Sequence, residues 1–180
     1  MKFFAKLMYK ILGWKLKGSI PTDIKKCVMV AAPHTSNWDF FYGVIAFYIM
    51  GIKIKTPIKK ELFFFPLGII LNALGGIQVD RAKAGRLVDN IVDLFKKYDE
   101  LVIFITPEGT RSYAERWKTG FWHIAKNANV PIILGYIDYS KKTAGVGPVF
   151  VPTGNVDKDI EEVKNFYRNI TAKYPDQGVK

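Results

Sequence analysis

The sequence predicts a single α/β domain: a mixed, largely parallel sheet flanked by helices and preceded by an amphipathic N-terminal helix. Three observations carry this expectation. Short β-branched runs such as CVMVAA (27–32) and LVIFI (101–105) read as buried strands. Segments with helical spacing of apolar residues lie between them, the alternation from which α/β layers are built. A chain of 180 residues, 49% hydrophobic and 24% charged, is long enough and apolar enough for one globular core.

The N-terminal stretch MKFFAKLMYKILGWKLKG places lysines at 2, 6, 10, 15 and 17, which break any signal-peptide core. On a helix, Lys2, Lys6 and Lys10 share one face, with Phe3, Leu7, Met8, Ile11, Leu12 and Trp14 on the other. That pattern is how an interfacial membrane anchor reads, and residues 1–20 are expected to form such a basic membrane-surface helix. Residues 21–180 make up the domain proper. CVMVAA is its first strand, followed by a helix from about Asn37 to Met50 and a short strand at 52–56.

Leu62 to Val79 is uncharged and reaches the ~18-residue lower edge of a bilayer span. Pro66, Gly68, Asn72, Gly75 and Gly76 interrupt it, so peripheral attachment is expected rather than crossing. IQV (77–79) reads as a strand entering the polar pair Asp80-Arg81. Gly85 to Tyr98 keeps helical spacing through Leu87, Val88, Ile91, Val92, Leu94 and Phe95. LVIFI is a strand stopped by TPEGTRS. A helix over Gly120 to Asn127, strands at 131–137 and 146–151, and a last helix from about Asp157 to Tyr174 complete the reading.

The net charge of +11 favours anionic partners. A single cysteine, Cys27, excludes an internal disulfide and suits a reducing cytosol, and two histidines leave no zinc-spaced cluster. No G-x-S-x-G elbow and no nucleotide-binding glycine loop is present. Cys27 lies within a strand and is expected to pack there; His123, in GFWHIAK, is expected to be a structural helix residue.

The polar turns PHTSNWD, Asp80-Arg81 and TPEGTRS each follow an apolar strand, and ligands of open α/β sheets gather beyond the carboxyl ends of strands. In PHTSNWD, Ser36-x-x-Asp39 has the spacing of a helix-capping box. The same stretch reads as an acid–base pair. Residues five apart lie about 140° apart on a helix, so His34 sits in the loop while Asp39, in the first helical turn, reaches back to one ring nitrogen. Both readings stay open on local grounds. In PEGTRS, Gly109 permits close backbone approach, Thr110 brings a hydroxyl and Arg111 a forked cation, groups that suit a phosphate. Glu108 can orient Arg111 or accept from a substrate hydroxyl. The bland alternative is a turn with a surface ion pair.

In order along the chain, HTSNWD (34–39), GIQVDR (76–81), PEGTRS (107–112) and VPII (130–133) resemble the blocks of the glycerophospholipid acyltransferase family, which includes bacterial 1-acyl-glycerol-3-phosphate acyltransferases. KKEL (59–62) and KTG (118–120) are also similar to it. The resemblance runs from about residue 28 to 140. It implies a glycerol-3-phosphate acyltransferase-like fold and transfer of a fatty acyl group from acyl-CoA or acyl carrier protein to a lysophospholipid hydroxyl. The acceptor it implies first is 1-acyl-sn-glycerol-3-phosphate, giving phosphatidic acid. His34 would be the general base and Asp39 its partner; Glu108, Gly109, Thr110 and Arg111, with Arg81 and Lys60, would hold the acceptor and its phosphate. No acyl-enzyme and no cofactor or metal is implied, and the enzyme would lie peripherally on the cytoplasmic face of the membrane.

The apolar segment 62–76 could line an acyl groove. Pro33, Thr106 and Leu134 depart from residues frequent in the family, and they leave open another lysolipid or a lipoamino acid as acceptor. A third reading is a non-catalytic basic module on anionic membrane or nucleic acid. The aromatics, however, fall in apolar runs rather than among exposed basic residues, so no nucleic-acid partner is expected.

Overall fold

The computed structural model describes residues 2–79 and 84–180, the side chains of 84–86 excepted. Helix α1 (Lys2–Ile11) precedes strands β1 (Lys15–Lys17) and β2 (Lys26–Ala31), then α2 (Asn37–Met50) and β3 (Ile54–Lys59). Next come α3 (Leu67–Ala73), β4 (Gly76–Val79), α4 (Ala84–Lys97), β5 (Leu101–Ile105) and α5 (Gly120–Ala128). Strands β6 (Ile132–Asp138) and β7 (Thr143–Phe150) and helix α6 (Val156–Tyr167) end the chain's regular structure, apart from short 3-10 turns. The strands form one seven-stranded sheet in the order β1-β7-β6-β2-β5-β3-β4. β2 pairs in parallel with both β5 and β6, β3 in parallel with β4 and β5, and β7 runs antiparallel to β6. The expected mixed, largely parallel sheet is what the chain forms.

Strand β2 shows why. Cys27, Val28, Met29 and Val30 are all wholly buried, because a central parallel strand is covered on both faces and reads as an unbroken apolar run. With the strand period of two, Val28 and Val30 pack with Phe121 of α5 and Tyr167 of α6. Cys27 and Met29 pack on the other face with Phe47 of α2. Helix α2 ends at Gly51, whose φ of 77° places it in the left-handed region a glycine C-cap adopts.

The structure differs from the sequence reading in several elements. The basic N-terminal segment is helical over Lys2–Ile11 rather than through residue 20. Trp14 drops into a buried cluster with Tyr9, its ring stacked on Tyr42 at 4.3 Å, and β1 then pairs with the edge strand β7. Burial of one indole and covering of a sheet edge turn the chain where helical periodicity would have carried it on. Strand β3 is displaced toward its C-terminus by pairing of Thr56–Lys59 with Gly76–Val79.

Helix α6 stops at Tyr167 instead of continuing to Tyr174. Beyond it the backbone serves other partners: Thr171 O accepts from Tyr139 N–H at 2.9 Å, and Tyr174 N–H donates to Thr35 Oγ1 at 3.3 Å. The segment 62–79 yields only the short α3 and the strand β4, and among the described residues no helix is long and apolar enough to cross a membrane.

A buried carboxylate locks α6 to the rest. Asp159, fully buried, accepts from Trp122 Nε1 at 2.7 Å, Thr153 N–H at 2.8 Å and Thr153 Oγ1 at 2.6 Å. Asp159→Ala strands these donors in a dry interior, and a loss of about 3 kcal/mol is expected. Urea denaturation of the variant beside the wild type measures it.

Candidate active site

Strands β2, β3, β4, β5 and β6 run parallel, so their carboxyl ends share one edge of the sheet. His34 follows β2, Lys60 follows β3, Glu108 to Arg111 follow β5 and Tyr139 follows β6 on that edge. This is where an open parallel sheet collects its ligand-binding groups.

The helix cap and the His34–Asp39 contact occur together in HTSNWD. Ser36 is the N-cap of α2; its hydroxyl accepts from Trp38 N–H at 3.2 Å, and its own N–H donates to Asp39 Oδ2 at 2.8 Å, which completes the capping box. Thr35 N–H donates to the same oxygen at 2.7 Å, and His34 Nδ1 lies 3.2 Å from it. The other oxygen, Oδ1, accepts the hydroxyl of Tyr139 at 2.7 Å. Asp39 therefore caps the helix and holds the imidazole at once. Burial pushes its carboxyl up, but the hydrogen bonds from His34, Tyr139, Ser36 and Thr35 outweigh that and hold it below the ordinary value. The carboxylate meets His34 at Nδ1, and among the described residues Nε2 has no hydrogen-bond partner.

The loop after β5 is tied to this turn twice. Glu108, 7% exposed, accepts His34 N–H on Oε2 at 2.9 Å, and Arg111 Nη1 donates to Asn37 Oδ1 at 2.6 Å. Burial, with Asp39 nearby adding to it, pushes the Glu108 carboxyl up to about 8 against the His34 bond. Gly109 adopts φ 66°, and a Cβ there would meet Lys118 Nζ at 2.6 Å, so the stem of Lys118 lies directly on this glycine. Thr110 is exposed, and its hydroxyl accepts Ser112 N–H at 3.3 Å.

The sequence-predicted residues thus fall into three groups. His34, Asp39, Glu108 and Arg111 are linked through hydrogen bonds between two turns, with Gly109 and Thr110 lying in the second of them. Lys60 is exposed at the end of β3 and joins them only by sharing the sheet edge. Arg81 lies outside the described residues.

An apolar cavity of about 290 Å³ opens beside His34 and Asp39, between α2 and the sheet. Val44, Phe47, Met50, Ile58 and Phe104 are among its walls. Of the apolar segment expected to form a groove, Leu71 and Leu74 line it. Phe64, Phe65, Ile69 and Ile70 are exposed instead. The walls come largely from α2 and the strands, whose apolar positions read as ordinary core. Sequence reasoning also missed Tyr139. The one signal for it was position: it is the first residue beyond a strand that ends on this edge.

The model of the Acyltransferase family matches residues 15–136. No curated protein matches the chain. Among solved structures, the chain is similar to the crystal structure of the 1-acyl-sn-glycerophosphate (LPA) acyltransferase PlsC from Thermotoga maritima. The two share 21% identity and a TM-score of 0.65, over 92% of this chain and 76% of that one.

Because the Glu108 carboxyl is raised in the folded state, the fold binds a proton there that the unfolded chain gives up near pH 4.5. Stability therefore falls as pH rises from about 4.5 to about 8 and levels beyond it. Glu108→Gln mimics the neutral acid and keeps an acceptor for His34 N–H. Its melting temperature should match the wild type near pH 5 and exceed it by several degrees at pH 9, as thermal melts across that range will read.

Proposed function

Because the chain belongs to the Acyltransferase family, we propose that it moves a fatty acyl group from an acyl thioester, acyl-CoA or acyl carrier protein, to the free hydroxyl of a lysophospholipid. The acceptor we infer is 1-acyl-sn-glycerol-3-phosphate, which gives phosphatidic acid. The observation that carries the reading is the His34–Asp39 pair, Nδ1 to Oδ2 at 3.2 Å, in the wall of an apolar cavity.

In this reading Nε2 of His34 accepts the proton of the acceptor hydroxyl as its oxygen attacks the thioester carbonyl carbon. The tetrahedral intermediate collapses with cleavage of the C–S bond, and the thiolate leaves with the proton returned by His34. Asp39 stays ionised and stabilises the imidazolium that forms between the two transfers. Transfer is direct. Cys27 is fully buried with its thiol pushed up to about 12, and the Ser36 hydroxyl is occupied at the helix cap, which makes both poor nucleophiles.

Arg111, beside the N-terminus of α2, supplies the fork for the acceptor phosphate, with Gly109, Thr110 and Lys60 on the same edge. Arg81 is assigned to this group from its place in the sequence. The acyl chain of the donor occupies the cavity beneath α2.

The enzyme works from a membrane surface, where its acceptor resides. Phe3, Phe4, Leu7 and Ile11 of α1 stand exposed among lysines, and Phe64, Phe65, Ile69 and Ile70 are exposed around α3. Apolar burial together with lysines near anionic lipid, about 1 kcal/mol each, supports peripheral attachment.

The deciding assay is acyl transfer from a long-chain acyl-CoA or acyl carrier protein to 1-acyl-glycerol-3-phosphate. Product from wild type and none from His34→Ala supports the reading; equal product from both sinks it. Asp39→Asn should lower kcat by at least about 100-fold, since an uncharged partner cannot stabilise the imidazolium. Arg111→Ala should instead raise KM for a phosphate-bearing acceptor by about 10-fold or more, with kcat less affected.

A further inference from the structure

We propose that Tyr139 is a positioning residue of the acyl-transfer reaction, its hydroxyl clamping the far oxygen of Asp39 so that the near one stays on His34. The inference rests on the acyl-transfer reading above and adds a residue beyond position 136, where the family match ends. Asp39 Oδ2 is shared among His34 Nδ1, Thr35 N–H and Ser36 N–H, whereas Oδ1 accepts Tyr139 alone among the described residues. A carboxylate bonded through one oxygen turns about its last torsion at little expense; bonded through both, it is held. The imidazole depends on that orientation, because partners of a catalytic histidine set its tautomer and direction.

The clamp is itself rigid. The ring of Tyr139 meets Trp14 edge-on at 5.3 Å and Tyr42 edge-on at 6.2 Å, and Lys173 Nζ lies 5.9 Å from its centroid. Its backbone N–H is bonded to Thr171 O. The hydroxyl thus reaches Asp39 from a ring wedged among neighbours, the supporting packing that a precisely held site requires. Burial and the bond to Asp39 push the phenol's pKa upward, so it remains a donor across the ordinary pH range.

Trp14 extends the chain of contacts to the N-terminus. It packs on Tyr9 at 6.2 Å, and Tyr9 OH donates to Tyr42 O at 2.5 Å. The aromatic cluster that seats α1 on the domain therefore also seats the ring that fixes Asp39.

Tyr139→Phe keeps the ring and removes only the hydroxyl. With acyl-CoA and 1-acyl-glycerol-3-phosphate, kcat of this variant should fall about 10-fold or more while KM stays within about twofold. Placed in the Asp39→Asn background, the same change should cost nothing further, because its effect passes through the carboxylate. An unchanged kcat, or an equal loss in both backgrounds, overturns the proposal.

A second reading needs no turnover. The chain has two histidines, so the 15N-edited spectrum contains two imidazoles, separable with a His123→Gln variant. The Nδ1 proton of His34 should shift or broaden in Tyr139→Phe relative to wild type, and an unaltered His34 resonance overturns the proposal as well. If wild type itself forms no product, the 1-acyl-glycerol-3-phosphate reading fails, and the spectrum alone decides whether Tyr139 positions His34.

Discussion

The carboxylate of Asp39 is the interaction around which the rest of the site is arranged. It is buried, and an ionised group taken out of water is costly unless its oxygens are satisfied. Three of its partners are local, Thr35 and Ser36 from its own turn and His34 from the loop before it, while Tyr139 comes from the far end of β6. The Tyr139 bond needs the parallel pairing of β2 with β6, since that register brings the ends of both strands to one edge. The sheet therefore does more than hold the core. It delivers the Tyr139 hydroxyl that completes the donors around a buried charge.

A helix cap and an acid–base pair compete only when a carboxylate has a single partner to spare. Asp39 uses Oδ2 for both roles and Oδ1 for the clamp, so capping α2 and orienting His34 stabilise each other. The loop after β5 closes the arrangement from the other side, with Glu108 on the backbone of His34 and Arg111 on Asn37. Two neighbouring buried carboxyls are shifted in opposite directions by this geometry: Asp39, rich in donors, below its ordinary value, and Glu108, poorer in them, above it. Environments that drive neighbouring carboxyls apart are a common mark of sites where protons move.

Much of the fold and part of the site was legible in sequence because the signals were local. The β-branched runs at 27–32 and 101–105 became β2 and β5, the helical spacing at 85–98 became α4, and the capping-box spacing at 36–39 became a real cap. Signals that depend on neighbours in space were not legible. Trp14 reads as one more apolar residue of a basic helix until Tyr42 and Tyr139 are seen to receive it. The apolar faces of α2 and β3 read as core until the space between them proves to be a cavity.

By itself, the sequence determined the strand–helix alternation, the pairing of a histidine with a carboxylate five residues on, and the ordered blocks from which the family is recognised. Those properties follow from periodicity and from bonds spanning a few residues, which a linear chain already specifies. The tertiary structure alone decided that Tyr139 meets Asp39 across 100 positions, that Glu108 is buried against His34, and that the last helix stops at Tyr167 to send the chain back over Thr35. These outcomes depend on which strand ends share an edge and on what desolvation does to groups gathered there, and neither is encoded in local spacing.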